Sequence, residues 1–275
     1  MEERKNRLML YEEKLSEMVD SGVIMIDTKG ERVGQINGLS VIDMGGYAFG
    51  NVSRITAVSY MGKSGIINIE KEAEMSGNTH TKGMNIIEGY IGGKYAQDFP
   101  ISLSCRVCFE QNYGGIDGDS ASSTELYCIL SSLSGIPVNQ QIAVTGSVNQ
   151  FGDIQAIGGV NEKIEAFFDI CSRRGLTGSQ GVMIPETNTG DLMLNDDVAN
   201  AVKEGKFHIF TVSSIDDGIE IMLSAPAGKL GDDGSYPPES VHGKVYAKLK
   251  EYYLKSFDEP EENDGEADEK HSDEN

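Results

Sequence analysis

Apolar residues recur every three to four positions in six stretches of the chain. Leu8, Tyr11, Leu15, Met18 and Val19 predict a helix over 1–20 that Gly22 ends. A broadly apolar pattern around Ile86, Ile87 and Ile91 predicts a second helix over 79–95. Leu126, Ile129, Leu130 and Leu133 predict a third over 121–133. Ser122 and Glu125 fit a capping box at its start, and Gly135 then Pro137 stop it. A fourth, from 158 to 171, sets Val160, Ile164, Phe167, Phe168 and Cys171 against Glu162, Glu165, Asp169 and Arg173. Shorter patterns mark a helix at 216–223 and a separate short one at 241–254.

Between these lie runs that read as strands, at 23–26, 36–42, 55–60, 66–69, 101–110, 142–148, 153–157, 181–184 and 207–212. Strands and helices mix without strict alternation, which predicts an α+β domain. No internal repeat is visible. From Ala225 onward Pro, Gly and charge mark the exit from the fold. The chain thus divides into an N-terminal helix and linker (1–22), a folded domain (23–228), a C-terminal extension (229–257) and a tail (258–275).

Length and charge refine this picture. The 275 residues suit a single domain of roughly 200 residues with flanks. The net charge is −21, and residues 258–275 alone hold ten Asp or Glu and one Lys, a net of −9. With almost no apolar residues, that tail is expected to be disordered. The rest of the chain, at −12, lacks the basic footprint that nucleic acid requires. No apolar run reaches membrane-spanning length, and Met1-Glu2-Glu3-Arg4 does not open a signal peptide, so a cytoplasmic location is expected. Cys105-Arg106-Val107-Cys108 lies in a strand-like run, where residues three apart face opposite sides. That arrangement suits neither a zinc site nor a redox pair, and no metal is expected.

Two segments carry candidate chemistry. Ser120 follows the glycine-rich run 113–118 and directly precedes the predicted helix 121–133. Free N–H groups at a helix start point at an incoming carbonyl oxygen and stabilise the charge that develops on it. The competing reading is that Asp119 or Ser120 merely caps the helix. A serine hydroxyl also needs a base. Lys163 lies in the first turn of the helix from 158, at the edge of the apolar stripe, and Gly159, Val160, Ala166 and Phe167 are its neighbours one turn away. No local carboxylate supports its charge, and the helix dipole opposes it, so Lys163 is placed to lose its proton.

Together these segments resemble the proteolytic domain of the Lon protease family. The motif Gly118-Asp119-Ser120-Ala121-Ser122, the run 142–148, the segment 157–163 and Met183-Ile184-Pro185 occur in the family's order, with the lysine 43 positions after the serine. The resemblance extends from Val33 to about Gly228 and is greatest for the B-type branch, in which Asp precedes the serine. It implies that Ser120 is the nucleophile, Lys163 the general base and Thr145 the threonine that hydrogen-bonds the lysine. It implies further that the substrate is an unfolded polypeptide and the assembly a homo-hexamer with its sites facing an internal chamber. Full-length members place a AAA+ ATPase module before this domain. The chain is therefore expected to be an excised fragment, with 1–22 the end of that module, no cofactor of its own, and ATP needed only by the module.

Other motifs lead elsewhere. Gly62-Lys63-Ser64 looks like the end of a P-loop, but the required glycine five residues earlier is Ala57. Around Ser120 the G-x-S-x-G elbow fails at its last position, which weighs against a triad with His80, His208, His242 or His271. S-x-x-K occurs nowhere. A catalytically silent domain serving as oligomerisation ring or peptide platform is the remaining alternative. Substrate is expected to add as a strand along an edge at 110–115. Asp119 is expected either to latch Lys163 in a resting state or only to cap the helix.

Overall fold

The computed structural model describes residues 2–257; the acidic stretch read as a disordered tail lies outside the described residues. After helix α1 (Glu2–Asp20) come the short β1 (Glu31–Arg32), then β2 (Gln35–Asp43), β3 (Ala48–Met61) and β4 (Gly65–Asn68). The turn α2 (Ile69–Glu72) and helix α3 (Asn78–Tyr95) lead to β5 (Leu103–Phe109) and α4 (Ser122–Ser134). Four short strands follow: β6 (Val138–Asn139), β7 (Ile142–Val144), β8 (Ser147–Val148) and β9 (Ile154–Gln155). Helix α5 (Val160–Arg174), β10 (Gly181–Pro185), α6 (Asp196–Lys203), β11 (His208–Val212), α7 (Ile215–Leu223) and α8 (Val241–Lys255) complete the order.

Seven strands form one mixed sheet in the order β11-β10-β7-β2-β3-β5-β4. Its β11, β10, β7 and β2 run parallel, β3 is antiparallel to both neighbours, and β4 lies parallel to β5. The architecture is α+β, and period-two alternation explains its layers. In β10, Met183 joins one core while Val182 and Ile184 join the other. Helices α3, α4, α7 and α8 cover the first face, and α1, α5 and α6 cover the second.

Several expectations change in three dimensions. Residues 23–26 form no strand. The run 142–148 is two strands broken at Thr145-Gly146. The segment 110–115 is a turn in which Gln111 has φ +56°, and β4 covers β5. It is not an open edge. Gly62-Lys63-Ser64 joins β3 to β4, so a strand and not a helix directly follows it, unlike a phosphate-binding loop. Helix α8 is no separate appendage, since Val241, Val245 and Leu249 are fully buried in the same core as α4. Helix α6 had no counterpart in the apolar pattern. Asn195 caps it and only Val198 and Ala201 are buried, too short a stripe to stand out. Among the described residues no helix is long and apolar enough to cross a membrane.

Candidate active site

Gly118 has φ +93°, a conformation open mainly to glycine, and its N–H donates to Asp117 Oδ1 at 2.9 Å. The chain then turns through Asp119 and Ser120 into α4. The far side of this turn is fixed by the break between β7 and β8. The Ser120 carbonyl accepts from Gly146 N at 2.8 Å and from Thr145 Oγ1 at 3.1 Å, while Ser122 Oγ accepts from Val148 N at 3.0 Å. Ser122 therefore braces the site instead of closing a capping box. The first flanking residue of α4 is Ala121, and no side chain caps the helix.

Lys163 arrives from the opposite face of the sheet. Gly50 allows β3 to lie against the start of α5, where any Cβ would collide with the Glu162 carbonyl. In α5, Val160, Ile164 and Phe167 are buried, as the apolar pattern predicts, and Lys163 is only 3% exposed. Its Nζ donates to Ser120 Oγ at 3.0 Å and to Thr145 Oγ1 at 3.2 Å. Helices from the two faces thus meet just beyond the end of β7.

The electrostatics favour a neutral amine. Burial lowers the Lys163 pKa from 10.5 to about 8, against the opposing fields of Asp119 and then Glu162. Asp119 fits neither of its expected roles. The hydrogen bonds of Nζ go to Ser120 and Thr145, and α4 has no side-chain cap, so Asp119 acts on Lys163 through its charge alone. The structure therefore gathers Ser120, Lys163 and Thr145 into direct contact, with Gly118 shaping the turn and Asp119 beside it.

Elsewhere, Cys105 and Cys108 occupy opposite faces of β5, with Cys105 buried and Cys108 partly so. Among the described residues no cluster of His, Cys, Asp and Glu has a metal-binding arrangement. A cavity of about 460 Å³ between α3 and the β8–β9 turn, lined by Tyr90, Lys94 and Phe151, does not include the serine or the lysine. Sequence reasoning gave Glu125 to a capping box and weighed His80 only for a triad, and it did not pair them. They are paired side chains from two helices, and no linear spacing announces such a pair.

Comparison with known proteins identifies the family. Residues 10–225 match the family described as Lon protease (S16) C-terminal proteolytic domain. A Lon protease homolog of Escherichia coli K12 is 44% identical over 226 residues, covering 82% of this chain and 39% of that protein. One from Haemophilus influenzae is 45% identical over 230 residues, covering 82% of this chain and 38% of that protein. The archaeal Lon protease of Archaeoglobus fulgidus is 30% identical over 197 residues, covering 71% of this chain and 29% of that protein. The chain thus spans about two fifths of the bacterial relatives it matches, the part that aligns with the proteolytic domain. With its fold, its motif order and this match over most of its length, the chain belongs to the Lon protease family and carries that family's proteolytic domain.

Proposed function

We propose that the chain is a serine endopeptidase that cleaves unfolded polypeptide through a Ser120–Lys163 dyad. The observation that carries this reading is the 3.0 Å contact between a buried amine of lowered pKa and a serine hydroxyl on a glycine-hinged turn. Neutral Nζ takes the Ser120 proton as Oγ attacks the scissile carbonyl. The resulting ammonium returns that proton to the leaving amine, and water then hydrolyses the acyl-enzyme. Thr145 gives Nζ a second hydrogen-bond partner and so keeps it directed at Oγ. The backbone N–H groups of Ser120 and Ala121, which have no acceptor among the described residues, serve as the oxyanion hole.

Exposed aromatics support an unfolded substrate. Tyr113, on the loop leading into the turn, is 85% exposed, and Phe151, beyond Val148, is 89% exposed. Such exposed rings offer apolar side chains of an extended chain a landing place. On this reading the active assembly is a homo-hexameric ring, and ATP serves only a AAA+ module.

Labelling with a fluorophosphonate or a peptide boronate tests the proposal. Covalent modification confined to Ser120 is the expected result, and an unmodified Ser120 would favour a silent platform. Cleavage of an unstructured peptide should also rise with pH to a plateau above about 8, falling tenfold per unit below it, because only neutral Lys163 can act as base. Asp119→Asn removes a charge that raises this pKa, so the rising limb should move to lower pH and activity near pH 7 should increase. A profile unmoved by the substitution would show that Asp119 does not act through its field.

A further inference from the structure

A second group of buried ionisable residues borders the nucleophile turn. His80, in the first turn of α3, and Glu125, in the first turn of α4, are each 1% exposed, with Nε2 and Oε1 2.9 Å apart. On the other side of the ring, Nδ1 lies 2.9 Å from Ser76 Oγ and 3.3 Å from Asn68 Nδ2. Asp117 accepts from the amides of Thr79, His80 and Gly118 at 3.0, 3.3 and 2.9 Å. One carboxylate thus grips both the start of α3 and the glycine before the nucleophile turn. The backbone from 117 to 122 is strung between helix starts that the His80–Glu125 contact ties together.

This arrangement costs stability. Among the described residues, Glu125 Oε2 is buried with no hydrogen-bond partner. A pair that only filled space would do as well with apolar side chains, since burying charge seldom adds net stability. Burial opposes a charge on His80, but the hydrogen bond and field of Glu125, aided by the Glu70 and Asp117 carboxylates, hold its pKa above the ordinary histidine value. The thiol of Cys108, on β5, stays neutral because burial pushes its pKa up to about 12. Burial also pushes the Glu125 carboxyl up, so what the structure fixes is the 2.9 Å contact between two buried groups, a clamp strong in geometry and intolerant of slack.

We infer that His80 and Glu125 are positioning residues for Ser120, locking α3 to α4 so that the glycine-rich turn presents Oγ to Lys163. This rests on the serine–lysine reading above. On the side facing α3 the turn is tied to that helix start by Asp117 and by the backbone bonds of Ile116 with Met75 and Gly77, so the spacing of α3 and α4 sets where Ser120 sits, whereas Thr145 and Gly146 hold the opposite side.

His80→Gln, Glu125→Gln and the double variant test it, with peptide hydrolysis, thermal melting and amide exchange measured on each. Each single substitution should lower kcat by about 10- to 100-fold with little change in KM, because a displaced nucleophile costs rate more than binding. The double variant should be no worse than the weaker single, since both act through one contact. The hydrogen-bonded amides of Ile116 and Gly118 should exchange about tenfold faster in every variant, while the rest of the domain keeps its protection. A kcat within twofold of wild type in folded variants, additive losses, or unchanged exchange at Ile116 and Gly118 would each overturn the inference. If the wild-type chain shows no Ser120-dependent cleavage, the proposed function fails, and the exchange rates still judge the clamp separately.

Discussion

Ser120→Ala should abolish cleavage of an unstructured fluorogenic peptide, lowering kcat/KM by at least about 10⁴-fold. The substitution removes the hydroxyl proposed as nucleophile, 3.0 Å from the buried amine. It leaves the turn intact, because the Ser120 contacts that brace it are made by its backbone carbonyl with Gly146 and Thr145. Melting temperature should therefore stay within a few degrees of wild type, as for most substitutions that leave no cavity or orphaned group. Retention of more than about 1% of wild-type activity would remove Ser120 from the nucleophile's role, since dyad members act as a unit.

Lys163→Met should be equally inactive and should make the protein more stable. The side chains are similar in length, but methionine needs no hydration. In the folded chain the lysine pKa falls from 10.5 to about 8, so below pH 8 folding must bury a charged ammonium. At 1.36 kcal/mol per unit the penalty is on the order of 3 kcal/mol. The sign follows from proton counting. Between pH 8 and 10.5 the unfolded chain holds a proton that the native state has lost, so native stability rises with pH in that window. The advantage of Lys163→Met should thus be full at pH 7 and shrink as pH approaches 10.5. Denaturant unfolding of both proteins at pH 7 and 10 measures it. A variant less stable than wild type at pH 7 would mean that the ammonium is better solvated than its burial implies. Stability gained where activity is lost is the usual mark of a residue kept for chemistry.

Much of this was legible in the linear chain because helical periodicity is local. The stripe Val160, Ile164, Phe167 placed Lys163 on the edge of a buried face with no carboxylate one turn away, and that is where α5 puts it. The end of α4 was equally readable, since Gly135 adopts φ +70° there. The beginning of α4 was not. Ser122 and Glu125 have the spacing of a capping box, yet tertiary partners won both side chains, Val148 N for one and His80 for the other. The capping box that does form is Ser214 with Asp217, at the start of α7. Two residues at a helix start bond each other only when nothing better faces them.

The sequence by itself determined most of the elements, the α+β class, the candidate residues Ser120 and Lys163, and the apolar setting that lowers the lysine pKa. Each of these follows from composition and spacing within a dozen residues. What only the tertiary structure decided was how residues far apart meet. It brought helices from opposite faces of the sheet together past the end of β7, left Asp119 acting on Lys163 by its charge and not as latch or cap, and closed 110–115 into a turn. It also drew α8 into the core and joined His80 to Glu125 across 45 residues. Such contacts depend on strand order and helix packing, which many distant apolar residues set jointly, so no local pattern can announce them.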